Sequence, residues 1–233
     1  MDVIFEISSM IGIAPAFILL YIIWGKFENF FDERLLFFNL VIGLIIGTAI
    51  AAIFLLISYS SAKYIDLSLI FIVTFAFFTE LFKFIFLNRK KAQRTYIVTF
   101  NGMTFGLGIG AIWAVALTYY YSRMYFNIYI AFYFILLSFA FSLIHSSTGS
   151  IIGYGIYINK RMRYLFNAIL IMVLFNFTLL PYIWGFPPYY SVISLIIAIV
   201  VFYYLIYNRI LIDTLPQELK RKWRKAEMLR LNK

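Results

Sequence analysis

Three ionisable residues stand inside stretches otherwise fit for a hydrocarbon core: Glu80, Lys83 and His145. A charge at mid-bilayer costs roughly 2.5–3.5 kcal/mol on insertion scales, so such residues are functional-site candidates by default. Glu80 and Lys83 are three apart, share a helix face and can pair. A bland role is a glutamate neutralised by its own lysine, with Lys83 snorkelling toward the nearby cytoplasmic helix end. The sharper role is a carboxylate acting as general base or ligand for an attacking water, tuned by the lysine beside it. His145 lies among hydroxyls, in Ser142-Leu143-Ile144-His145-Ser146-Ser147-Thr148-Gly149-Ser150. One imidazole there is either a hydrogen-bonded contact between helices or a ligand, proton carrier or base.

The donor inventory is short. His145 is the only histidine and there is no cysteine. A two-histidine metal site within one chain, thiolate ligands, a cysteine nucleophile and a disulfide framework are all excluded.

The glycines make a different pattern. Gly102, Gly106 and Gly110 are spaced by four and line one ridge of a helix; Gly149 and Gly153 do the same further on. Small residues at this spacing let membrane helices approach closely. The run Gly106-Leu107-Gly108-Ile109-Gly110 lies in an apolar span with no Lys-Ser/Thr after it, so it is no phosphate loop.

The elements that position these residues are transmembrane helices. Hydrophobic residues make up 64% of the 233 residues and charged ones 13%, with a mean hydropathy of +0.92. A soluble domain is about half apolar and a quarter charged. Apolar runs of the roughly 20 residues needed to span a bilayer fall near 7–25, 36–60, 67–87, 96–121, 128–158, 164–184 and 189–209. The expectation is all-α: one bundle of about seven spans over 1–212, then a basic tail over 213–233. The first run carries Asp2 and Glu6 and no basic flank or cleavage site, so it reads as a retained helix rather than a signal peptide. The aromatic and charged connector 26–34 suits the membrane interface.

Basic residues set the orientation. Arg89, Lys90, Lys91 and Arg94 fill the third connector, Lys160, Arg161 and Arg163 the fifth, and Lys220, Arg221, Lys222, Arg224, Lys225, Arg230 and Lys233 the tail. The second connector has only Lys63, the fourth only Arg123, and the sixth, around Pro187-Pro188, has none. With seven spans the positive-inside rule puts the N-terminus outside the cell membrane and the tail in the cytoplasm. The net charge of +10 is then mostly topology. The tail is either a solvated stop-transfer segment or an amphipathic helix on anionic lipid. Nucleic acid is a poor partner, because no aromatic platform or binding motif accompanies the charge. The Ile-, Tyr- and Phe-rich, cysteine-free composition suggests a thermophilic archaeon.

With these residues in place, the chain resembles a divergent member of the PrsW-like intramembrane protease family over about residues 13–180. That family shares a clan with the prenyl-protein CAAX proteases and the anterior-pharynx-defective subunit of gamma-secretase. The opening Ile13-Ala14-Pro15-Ala16-Phe17-Ile18-Leu19-Leu20-Tyr21 is similar to how these proteins begin. Thr79-Glu80-Leu81-Phe82-Lys83 stands where the family has Glu-Glu-x-x-Lys. Gly106-Leu107-Gly108-Ile109-Gly110-Ala111-Ile112-Trp113 stands where it has Gly-Leu-Gly-Phe-Ala-x-x-Glu. His145 and Gly153 match its histidine- and glycine-bearing helix, and Val173-Leu174-Phe175-Asn176 the end of its last motif. Thr79, Trp113 and Met172 replace a glutamate, a glutamate and a histidine.

The resemblance implies a site of carboxylates and histidines that binds metal or activates water to cut peptide bonds inside the membrane. Here it would rest on Glu80 and His145, with Lys83 as a cation. Zinc needs about three protein ligands, and two remain. Three function classes stay open: a protease; a non-catalytic scaffold that docks a transmembrane segment or lipid, favoured by the three replacements; and a channel or transporter using Glu80 and His145. Glu80 and His145 are expected to approach one another inside the bundle, near the third, fourth and fifth helices. At about 1.5 Å per residue, they stand roughly 12 and 20 Å above their cytoplasmic helix ends.

Overall fold

The computed structural model describes residues 3–27, 32–61, 65–90, 95–122, 127–183 and 188–231, and every regular element among them is helical. Asp2, Lys63, Lys91, Arg94, Arg123, Pro187, Lys233 and the middle of the 26–34 connector lie outside these residues. The long helices are α1 (Val3–Phe27), α2 (Glu33–Ser61), α3 (Ile65–Leu87), α4 (Ile97–Ser122) and α5 (Ile128–Tyr157). Then come α6 (Arg161–Phe177) and the single turn α7 (Leu180–Ile183). A continuous last helix runs through α8 (Ser191–Val200), a π-helical stretch (Val201–Ile210) and α9 (Leu211–Thr214). Six helices among the described residues are long and apolar enough to cross a membrane: α1 to α5 and the last, Ser191–Thr214. This is a helical membrane protein.

The run expected at 164–184 is the exception. It forms α6, of 17 residues, about 26 Å long at 1.5 Å per residue. Pro181 explains the break: its ring would meet the carbonyl four residues back, that of Phe177, and it has no N–H to offer. The helix stops there, and the Thr178 hydroxyl closes the end by donating to the Phe175 carbonyl at 2.7 Å. Its oxygen also lies 2.7 Å from the Ser194 hydroxyl, which ties the break to α8.

Contacts fix the directions. Gly12 lies against Val115 and Phe27 against Phe100, so α1 and α4 are antiparallel. Gly43 lies against Phe105 and Gly47 against Ile109, so α2 runs parallel to α4. Phe86 stacks on Phe105 and Phe75 meets Trp113 edge-on, which sets α3 antiparallel to α4. Tyr154 meets Tyr164 and Phe141 meets Phe175, so α6 runs back along α5. Lys26, Arg89, Lys90, Lys160, Arg161, Arg163 and the helix of the basic tail, α10 (Gln217–Leu231), therefore gather at one end of the bundle.

The centre is α4. Of its best 18-residue window 83% is buried, against 28–39% for α1, α2 and α3, because α1, α2, α3 and α5 all pack on it. The last helix reaches it too, through a 3.2 Å hydrogen bond from the Thr214 hydroxyl to that of Thr99. From there Pro216 leads into α10 (Gln217–Leu231), which carries the basic tail. Leu219 and Trp223 pack against the bundle core, with Trp223 stacked on Phe27 at 6.4 Å. Lys26 sits over Tyr207 at 3.6 Å and Trp223 at 5.4 Å. Arg221, Lys222, Arg224 and Lys225 remain exposed. An aromatic stack and a cation–π contact are each worth about 0.5–1.5 kcal/mol. Trp223→Ala should therefore speed amide exchange across 217–225 about tenfold and leave α4 protected.

Candidate functional site

Glu80 and Lys83 arrive on adjacent turns of α3 and face α5. Neither side chain has any solvent exposure. The Lys83 ammonium donates to Glu80 Oε1 at 2.7 Å, to the Thr148 hydroxyl at 2.7 Å and to the His145 carbonyl at 3.3 Å. An ammonium has three protons, so all three are used. The Thr148 hydroxyl stands 3.1 Å from Glu80 Oε1 and 3.3 Å from the His145 carbonyl, and its one proton serves either. Lys83 thus does not snorkel. Its charge is turned inward because three oxygens meet it there; an ammonium is too costly to desolvate without such partners.

The same bonds bring Glu80 and His145 into one buried cluster at the junction of α3, α4 and α5. The difference in depth is bridged from the lysine side. Lys83 reaches the backbone oxygen of His145, while the imidazole itself lies against Phe141, with ring centres 6.2 Å apart and planes at 22°. Phe141 in turn stacks on Trp113 at 6.3 Å and meets Phe175 at 5.5 Å. Trp113 and Met172 are both buried. One side of the imidazole is thus an aromatic wall.

Close packing makes this possible. A Cβ placed on Gly106 would overlap the His145 carbonyl oxygen; one on Gly102 would overlap that of Gly149; one on Gly110 would overlap that of Phe141; and one on Gly153 would overlap that of Val98. The glycine ridge of α4 lets α5 approach until backbone touches backbone, which sets the position of residues 141–153.

Several polar atoms in this core have no hydrogen-bond partner among the described residues. They are Glu80 Oε2, both ring nitrogens of His145, and the hydroxyls of Thr79, Ser142, Ser146 and Ser150. Buried polar atoms in native structures nearly always have a protein or water partner, so water is their natural complement. The arrangement can hold a proton or polarise a water at Glu80 Oε2, whose sister oxygen is already fixed by Lys83.

Zinc fits poorly. Among the described residues no group of three His, Cys, Asp or Glu side chains could hold a metal ion. The ammonium of Lys83 also sits where a cation would bind Glu80 Oε1. Thr104 donates within its own helix, to Phe100 and Asn101, and Asn167 faces outward on α6. Neither completes a ligand set.

The residue that sequence reasoning passed over is Thr148. It stood in the hydroxyl run after His145, and the spacing His145-x-x-Thr148 places its hydroxyl within reach of the His145 carbonyl one turn back. No family model, curated protein or solved structure matches the chain.

Proposed function

We propose that this chain is a divergent PrsW-like protein of the cell membrane, acting as a non-catalytic scaffold that holds a transmembrane segment or lipid. The observation that carries this reading is the closure of Lys83 on Glu80, Thr148 and His145. A carboxylate locked to a fully buried ammonium is a structural pair first. Thr79, Trp113 and Met172 stand at the three positions where the resemblance places further site groups. Basic residues at one end of the bundle support a cytoplasmic C-terminus and an external N-terminus. Arg221, Lys222, Arg224 and Lys225 on α10 suit contact with anionic lipid at that surface.

A second reading, an intramembrane protease, is favoured by one observation: Glu80 Oε2 and both His145 nitrogens are buried without partners among the described residues. Water between them would be a candidate nucleophile, with Glu80 as base.

Purified wild type, Glu80→Gln and His145→Ala should be assayed for bound zinc, and in vesicles for binding and cleavage of a fluorescent transmembrane peptide. The scaffold reading expects no stoichiometric zinc, saturable peptide binding and no cleavage. Cleavage by the wild type that Glu80→Gln abolishes would overturn it. So would about one equivalent of zinc lost in both variants.

A further inference from the structure

On the outer side of α6 a cleft of about 240 Å³ opens between α5, α6 and the π-helical stretch. Its lining is Ile151, Tyr164, Leu170, Ile171, Leu205 and Ile210, with one strongly polar member, Asn167. Asn167 is exposed and stands about 9 Å, six residues, inside the Arg161 end of the helix. An amide at that depth on an apolar face needs a polar partner from outside the chain.

The basic end of the cleft is charged. Arg163 precedes Asn167 by one turn, so both lie on one face of α6. Lys160 precedes Tyr164 in the same way. Both cations are exposed. A tight turn sets Lys160 there: Asn159 takes a positive φ of 57° and the Lys160 N–H closes on the Gly155 carbonyl at 2.8 Å. The first turn of α6 has no acidic residue, and Lys160 gives it no side-chain cap.

We infer that this cleft binds one anionic phospholipid, with its phosphate at Lys160 and Arg163, its ester region at Asn167, and an acyl chain along Leu170, Ile171 and Leu205. The order of groups down the cleft matches the order down a lipid: cations, then an amide donor, then hydrocarbon. Basic pockets between helices at the cytoplasmic surface are suited to such headgroups. The inference deepens the scaffold reading by naming lipid as an occupant, and it uses no residue of the Glu80 cluster.

The test is native mass spectrometry of the full chain with phosphatidylglycerol and phosphatidylcholine of identical acyl chains. Wild type should retain phosphatidylglycerol preferentially. Lys160→Gln with Arg163→Gln should weaken that retention about 30-fold, the weight of two surface charges. Both side chains are exposed, so the fold stays intact, as circular dichroism would check. Leu170→Trp, which fills the cleft and leaves the charges, should also release the lipid. Equal retention of the two lipids would overturn the inference. So would selectivity lost only on Arg221→Gln with Lys222→Gln, which would place the lipid on α10. Displacement by inorganic phosphate would mean that the acyl chain is unbound, and displacement by a transmembrane peptide would give the cleft to a protein helix. Peptide binding that persists while lipid selectivity is absent would defeat this inference and leave the scaffold reading standing.

Discussion

Replacing Gly106 by leucine should abolish the folded bundle. A Cβ alone at this position overlaps the carbonyl oxygen of His145 and crowds the backbone of Ser146. Backbone cannot turn aside as a side chain can, so α4 and α5 must separate along their length. Overpacking a core costs about 1–3 kcal/mol when side chains can adjust. With backbone as the obstacle, Gly106→Leu should exceed that range. The measurement is the loss of helicity on titration with a denaturing detergent, followed by circular dichroism. Gly149→Leu should behave alike, since Gly102 meets it in the same manner. Gly25→Ala is the control. Nothing lies within 4 Å of its Cβ position, and alanine in a helix is favoured over glycine by about 0.5–1 kcal/mol. A Gly106→Leu variant as stable as wild type would mean that α4 and α5 are not in backbone contact.

Removal of Lys83 should be the most damaging single change at the polar cluster. Lys83→Met strands the buried Glu80 carboxylate without its counter-ion, together with the Thr148 hydroxyl that the ammonium had engaged. Breaking one partner out of a buried pair costs about 3–5 kcal/mol, whereas replacing both by apolar groups is often neutral. Glu80→Leu combined with Lys83→Met should therefore recover most of the lost stability. A double-mutant cycle in the same detergent titration gives the coupling energy directly. A strong positive coupling supports a pair held for structure. If the double variant is no better than Lys83→Met, the cluster is held together by contacts beyond the pair.

Much of this architecture could be read from residue types alone. Runs of apolar residues with basic connectors placed six spans, because a hydrocarbon core of about 30 Å demands that length whatever the neighbours are. The pairing of Glu80 with Lys83 followed from helical spacing. The break in α6 was also written in the sequence, at Pro181, but a run of apolar residues hides a proline that acts four residues upstream. What could not be read was direction. Nothing in the spacing of Lys83 says whether a flexible stem turns toward the headgroups or toward the core. That choice is made by the His145 carbonyl and the Thr148 hydroxyl, which another helix brings into reach. Thr148 itself carried no distinguishing mark among Ser146, Ser147 and Ser150. The docking of Trp223 onto Phe27 was equally illegible, since it joins the two ends of the chain.

The burial of α4 bears on how the protein is made. Its best window has a mean hydropathy of 1.5, the lowest of the six spans, and it carries Thr99, Asn101, Thr104 and four glycines. Such a segment gains little by meeting lipid alone. When it leaves the ribosome, α1, α2 and α3 already exist to cover part of its circumference, but α5 does not. The glycine ridge is then an open seam until about 30 further residues have been synthesised. Insertion of α4 and arrival of α5 are in this sense one biosynthetic event.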